Sequence, residues 1–143
     1  MRPGIDYTGI CVCWFCHDGQ GNFVMQKRGK NCRDEQGKWD TGGGTLEFAD
    51  EVEKRLQQEI GEELGVRILE AEFLGFRNVY RSINNKKTHW LGLDFKVLVN
   101  PQVVSNKEPH KFDEIGWFTL KTLPKKLHSQ LPKFFEKYKK KLN

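Results

Sequence analysis

The sequence predicts an α/β or α+β fold in which a mixed β-sheet lies between helices. Three observations carry that expectation. Runs rich in aliphatic and aromatic residues recur along the chain, a mid-chain stretch steps its apolar residues by four, and the closing segment repeats large apolar residues at helical spacing. At 143 residues the chain is expected to form one domain, 1–143, large enough to bury a core.

The elements follow in order. Residues 8–16 (TGICVCWFC) read as a buried strand, HDGQG as a turn and NFVMQKR as a second strand, which together suggest a hairpin. Residues 29–45 are polar and glycine-rich and read as a loop ending in KWDTGGGT. From Asp50 to Leu64, Val52, Leu56, Ile60 and Leu64 form one apolar stripe, so a helix is expected. Asp50 with Glu53 resembles a capping box with Asp50 as N-cap, and Gly65 suits the residue just past the helix end. Residues 67–80 hold one or two strands, SINNKK a turn, and THWLGLDFKVLV the longest strand signal. A polar loop over 100–114, a short strand IGWFTL and a terminal helix over 124–142 complete the chain.

Composition narrows the function classes. Hydrophobic residues make up 37% and charged residues 30%, the proportions of an ordinary globular chain. No stretch approaches the roughly 18 apolar residues of a membrane span, so no membrane partner is expected. The opening MRPGIDYTG lacks the apolar run of an export signal, and the cytoplasm is the expected compartment. The net charge of +5 is concentrated near the end: lysines crowd residues 121–141, where Glu136 is the one acid. Such a tail can attract nucleic acid, but Leu127, Leu131, Phe134 or Phe135, Tyr138 and Leu142 recur at helical spacing, so a solvated helix face opposite them explains the lysines. No aromatic is interleaved among the lysines, and nucleic acid is not the favoured partner. Three of the four cysteines lie in CVCWFC, where alternation puts Cys11, Cys13 and Phe15 on one face and Val12, Trp14 and Cys16 on the other. With only Cys32 following, buried thiols explain the cluster better than zinc.

The helix over 50–64 carries an unusual concentration of charge. Glu59, Glu62 and Glu63 converge on one edge, away from the apolar stripe, and near the helix end that disfavours anions. Gly61 adds roughly 1 kcal/mol of further helix cost. Such charges are either solvated or neutralised by a cation, and oxygen-only ligands suit Mg²⁺ or Mn²⁺. The preceding WDTGGGTLEFAD supplies a glycine-rich turn whose backbone can approach a ligand closely at the same place.

Residues 44–66, GTLEFADEVEKRLQQEIGEELGV, resemble the Nudix box, G-x5-E-x7-R-E-U-x-E-E-x-G-U with U aliphatic. Gly44, Glu59, Ile60, Glu62, Glu63, Gly65 and Val66 fall on its fixed positions. Trp39, Gly43 and Glu47 match the usual lead-in, with Gly42 where proline is common. Asp50 replaces the first box Glu and Gln58 the Arg, two residues the family uses to support its metal-binding glutamates. Arg55, one turn before Glu59, is placed for an i,i+4 pair that partly compensates.

The resemblance implies an α/β/α sandwich that hydrolyses a nucleoside diphosphate linked to another group, with Mg²⁺ or Mn²⁺ on Glu59, Glu62 and Glu63 and more weakly on Glu47. Glu59 and Glu63 are the expected catalytic residues, the Gly43–Gly44 backbone meets metal or phosphate, and Arg28 holds a terminal phosphate or is a solvated arginine beside Lys27. The general base is Glu59, Glu63 or an acid of the late loop among Glu108, Asp113 and Glu114. His89 reads as a core-edge histidine; Tyr80 and Trp90 could stack on a base, but residues of this kind are more often core or sheet-face residues. A chain without a further N-terminal domain leans toward nucleoside triphosphates, including oxidised ones, over ADP-ribose. Two alternatives stand beside this: a nucleotide-binding module that has lost turnover, and an RNA-directed protein using the basic C-terminal helix.

Overall fold

The structure, a computed structural model, describes residues 1–142. Strand β1 (Gly9–His17) is its centre. Val12, Trp14 and Cys16 enter one core and Phe15 the other, as strict alternation of the strand requires. Beside β1 runs β6 (Lys86–Leu98) in parallel, in register from Gly9↔Trp90 to His17↔Leu98. Strand β5 (Glu70–Ile83) pairs antiparallel with β6 and is bent by an irregularity between Phe73 and Gly75. The β5–β6 turn is made by Asn84 and Asn85 at φ 51° and 65°, a left-handed pair that suits a two-residue hairpin.

The other side of β1 is split. β1 and β2 (Phe23–Arg28) pair at His17↔Phe23 and then part. Their connection is held by Asp18, whose carboxylate accepts from the Gln20 and Asn22 backbone and the Asn22 amide. The expected hairpin therefore exists only at its closed end. β4 (Gly43–Thr45) occupies the vacated edge of β1, while β2 pairs with β3 (Trp39–Asp40) and β7 (Phe112–Phe118). The main path is β3-β2-β1-β6-β5, a mixed sheet. Two strands within residues 29–45 thus replace part of the expected loop; at two and three residues they are too short to show periodicity.

Helix α1 (Val52–Leu64) covers one face with Leu56, Ile60 and Leu64, all fully buried among Val12, Trp14, Val24 and Val97. Each contributes about 2 kcal/mol of burial. Its start corrects the expected capping box: Glu51 is the N-cap and makes no side-chain cap bond, while the Asp50 carboxylate accepts from Arg55 and the Glu47 N–H. Its end is as expected, with Gly65 at φ 68° donating to the Gly61 carbonyl. The loop after β6 wraps this end, Ser105 and Lys107 donating backbone N–H bonds to the Leu64 and Glu63 carbonyls.

Helix α2 (Leu131–Tyr138) covers the other face with Leu131, Phe134 and Tyr138 against Phe15, Phe23 and Met25. It is much shorter than the expected 124–142. Pro132 sits in its first turn, where the missing N–H is harmless, and the residues before it are irregular. Trp39 and Leu127 form an isolated bridge there, with the Trp39 N–H bonded to Lys126 and the His128 N–H to Trp39. The stripe read as helical from Leu127 onward is still buried, but its first member packs from an extended segment. Among the described residues no helix is long and apolar enough to cross a membrane.

Candidate active site

A cleft of about 170 Å³ opens where β1 and β2 part. Cys11 and Cys13 of β1, Gln26 and Arg28 of β2, Gly43 and Gly44 of β4 and Glu63 of α1 line it, as do Trp90 and Lys111. Splitting the sheet makes this space, and β4 brings the glycines to it.

Glu63 flanks the α1 stripe and is 3% exposed. Its carboxylate accepts one bond from the Gln26 amide at 3.1 Å. Burial, opposed by Gln26 and Lys111 but aided by Glu108 and Glu59, pushes its pKa up to about 8. The Gln26 Oε1, also buried, has no hydrogen-bond partner among the described residues. Glu59, one turn earlier, is also raised, by burial and then by the Glu62 charge, against Arg55 and Lys111. It lies on Gly44 so closely that a Cβ there would stand 2.7 Å from its carboxyl carbon, and only glycine lets strand and carboxylate approach this far. Gly42, at φ 120°, is equally constrained: a Cβ would overlap the Trp14 indole, and proline, fixed near φ −65°, cannot adopt this backbone.

Arg55 is the support that the two departures from the box appeared to remove. Its guanidinium bonds Asp50 at 2.8 Å and Glu59 at 3.3 Å, while Asp50 also accepts the Glu47 N–H at 2.7 Å. The Arg55 bond and the backbone bond hold the Asp50 pKa below its ordinary value. Loop, helix and Glu59 are tied together by an arginine one turn from the box position. Gln58 instead donates to Glu62 at 3.1 Å on the exposed side of the helix.

Gly43, Gly44 and Glu63 thus line the cleft, and Glu59 lies against Gly44. The Glu62 and Glu47 side chains are exposed, and among the described residues no three acids, histidines or cysteines are gathered as a metal cage. Arg28 lines the cleft but is no solvated arginine: it bonds Asp34 at 2.8 Å and the Asp34 carbonyl at 3.1 Å. His89 bonds Thr8 and Asn78 at the end of β6 and stacks on Tyr80. All four cysteines are free, with the Cys11 and Cys13 sulfurs 3.8 Å apart on the cleft floor.

The sequence reading missed Gln26 and Lys111. Gln26 was detectable as the polar residue in an otherwise apolar run, FVM before it; Lys111 sits in a loop without periodicity. It also missed a polar network that reaches the cleft through Asp40, Arg81, His128 and Gln130. Asp94, wholly buried, binds Arg77 through two bonds of 2.7 and 2.8 Å and accepts the Tyr138 hydroxyl at 2.7 Å. Arg77 continues to Gln130, which donates to Asp40. Beside it, Glu35 accepts from Arg81, Ser129 and His128. Burial opposes its ionisation, yet the His128 and Ser129 bonds hold its pKa far below the carboxylate range.

A glycine strand carrying a carboxylate of the following helix, with a second carboxylate buried behind it, is an arrangement that can be compared with known proteins. A family model of the NUDIX domain matches residues 8–138. The chain belongs to the Nudix family. The MutT Nudix hydrolase of Burkholderia pseudomallei superposes with a TM-score of 0.81 at 23% identity, covering 92% of this chain and 98% of that one. The MutT protein of Methanosarcina mazei Go1 gives 0.77 at 23% identity over 93% and 94%. The NUDIX domain of Shewanella oneidensis NrtR, solved with ADP ribose, gives 0.74 at 15% identity over 100% and 94%. At these identities the likeness establishes the Nudix fold, and the site rests on this chain's own residues.

Proposed function

We propose that this Nudix protein is a metal-dependent pyrophosphohydrolase of nucleoside diphosphate derivatives, with nucleoside triphosphates, oxidised ones included, as its leading substrates. The observation that carries the reading is Glu63, a buried carboxyl with a single hydrogen bond in a cleft that Arg28, Gly44 and Lys111 also line, with Glu59 lying against Gly44. Two carboxylates whose ionisation is opposed by burial and by neighbouring acids fit a hard divalent cation, whose charge would offset both. Glu59 and Glu63 would hold Mg²⁺ or Mn²⁺, with Glu62 and Glu47 able to join by side-chain rotation from their exposed positions. When bound, the ion supplies neutralisation of the pyrophosphate charge and a more acidic water.

The chain's own residues do the rest. The Gly43–Gly44 backbone, free of Cβ atoms, lets phosphate oxygens approach β4. Lys111 lines the cleft as a cation for a non-bridging oxygen, and Arg28 becomes a second one if it leaves Asp34. Arg55 fixes Glu59 from behind. Water adds to one phosphorus, the bridging P–O bond breaks, and its electron pair leaves with the departing phosphate. The water's proton passes to a carboxylate, Glu59, Glu63 or an acid of the late loop among Glu108, Asp113 and Glu114. The support Arg55 gives to Glu59 argues for turnover over a binding-only module. Incubating the protein with a panel of nucleotides and Mg²⁺, then separating products, tests the reading: a nucleoside monophosphate or diphosphate with pyrophosphate or phosphate is expected, and intact nucleotides throughout would refute it.

A further inference from the structure

Strand β2 opens Phe23-Val24-Met25-Gln26, and all four side chains are buried. An amide at the end of such a run is not what packing asks for, since an apolar side chain of the same length would fill the place with no polar atom to satisfy. Gln26 has two polar groups and satisfies one. Its Nε2 donates to Glu63 Oε1 at 3.1 Å, and its own Oε1 has no partner among the described residues. Turning the amide over would set that oxygen against an ionised carboxylate oxygen, so Glu63 dictates which way round the amide lies. A buried acceptor left unpaired works against folding. What the residue returns is one donor, delivered to one oxygen of Glu63.

The place from which it is delivered is firm. Gln26 is in register with Asp40 of β3 on one side and Ile115 of β7 on the other, so its backbone is held from both edges. It lines the cleft together with Glu63, 37 positions away in the chain. Glu59 is held differently, by Arg55, a cation that offsets part of its charge. The Gln26 amide orients a carboxylate without neutralising it. A cationic side chain at this position would form an ion pair that an incoming cation has to displace, and an apolar one would leave the carboxylate free to rotate.

Resting on the metal-dependent reading of the cleft, we infer that Gln26 is the positioning residue of Glu63: its N–H fixes one carboxylate oxygen and leaves the other, with the whole negative charge, to a divalent cation. It acts through Glu63.

The test uses the full chain without nucleotide and follows Mn²⁺ binding by the loss of the free-ion electron paramagnetic resonance signal, beside urea midpoints in EDTA. Gln26→Met keeps the length and removes both the donor and the unpaired oxygen. Gln26→Asn keeps the amide but is one methylene too short to reach Glu63, and it decides the matter if the methionine variant does not fold. Each should weaken Mn²⁺ binding about 10- to 100-fold. The Mg²⁺ needed for half-maximal hydrolysis should rise by the same factor, while KM for the nucleotide at saturating Mg²⁺ stays within about twofold of wild type. A purely structural role would lower the urea midpoint and leave the Mn²⁺ affinity of the folded protein alone, and that result overturns the inference. If Glu63→Gln binds Mn²⁺ as tightly as wild type, the inference and the metal reading fall together. Mn²⁺ binding that both Gln26 variants weaken, with no nucleotide hydrolysed by wild type, would uphold the positioning role and overturn the hydrolase reading instead.

Discussion

Replacing Glu63 with Gln should remove turnover and, without metal, make the protein more stable. The carboxyl is 3% exposed and its pKa is raised from 4.5 to about 8, burial being the main cause. At about 1.36 kcal/mol per pH unit, keeping it ionised in the folded state costs about 5 kcal/mol. The sign follows from the unfolded chain losing its proton first. Below pH 4.5 both states hold the proton and there is no penalty; between 4.5 and about 8 the folded state binds more protons, so stability falls as pH rises; above 8 the full penalty stands. Glutamine has the same shape, no charge, and an amide that can still pair with Gln26. In EDTA, urea midpoints at pH 9 should therefore rise for Glu63→Gln by the equivalent of several kcal/mol, and the two proteins should converge near pH 4. Mg²⁺ should stabilise wild type at pH 9 and leave the variant almost unmoved. A variant no more stable than wild type at pH 9, or one that retains activity, would refute the reasoning.

Other expectations follow from the same site. Arg55→Ala should lower kcat/KM about 10- to 100-fold and raise the Mg²⁺ needed for half-maximal rate, because Asp50 and Glu59 lose their common partner; a metal titration of activity reads this. Asp50→Glu with Gln58→Arg should raise kcat/KM little in the wild-type background and most of all when Arg55 is already alanine, which a triple-mutant comparison measures. Gly44→Ala should reduce activity at least tenfold with little change in urea midpoint, since the new Cβ displaces the Glu59 carboxylate while the strand persists. Asp94→Ala should cost about 3–5 kcal/mol of folding stability by leaving Arg77 buried and unpaired, read from denaturant curves.

Much of this was legible because it obeys a period or a fixed spacing. The four-step stripe of α1 and the alternation in β1 that separates Trp14 from Phe15 both survive in the structure, and the box spacing sets Glu59 and Glu63 one turn apart on α1. What was not legible depends on tertiary choice. The sequence offers Asp50 as a cap, but Arg55 competes for its carboxylate and wins with a charge-assisted bond. It offers a long final helix, but Pro132 and the pairing of Leu127 with Trp39 shorten it. The Asp94–Arg77–Gln130–Asp40 chain joins residues up to 90 positions apart, and no local pattern announces it.

The central claim is that Glu59 and Glu63 hold a divalent ion for cleavage of a nucleotide pyrophosphate. Its most direct measurement is product release from nucleoside triphosphates by wild type, Glu59→Gln and Glu63→Gln, each with Mg²⁺ and with EDTA. The account predicts pyrophosphate or phosphate with a shortened nucleotide from wild type in Mg²⁺, and background in every other sample. Equal release in EDTA, or undiminished release by both variants in Mg²⁺, would contradict it.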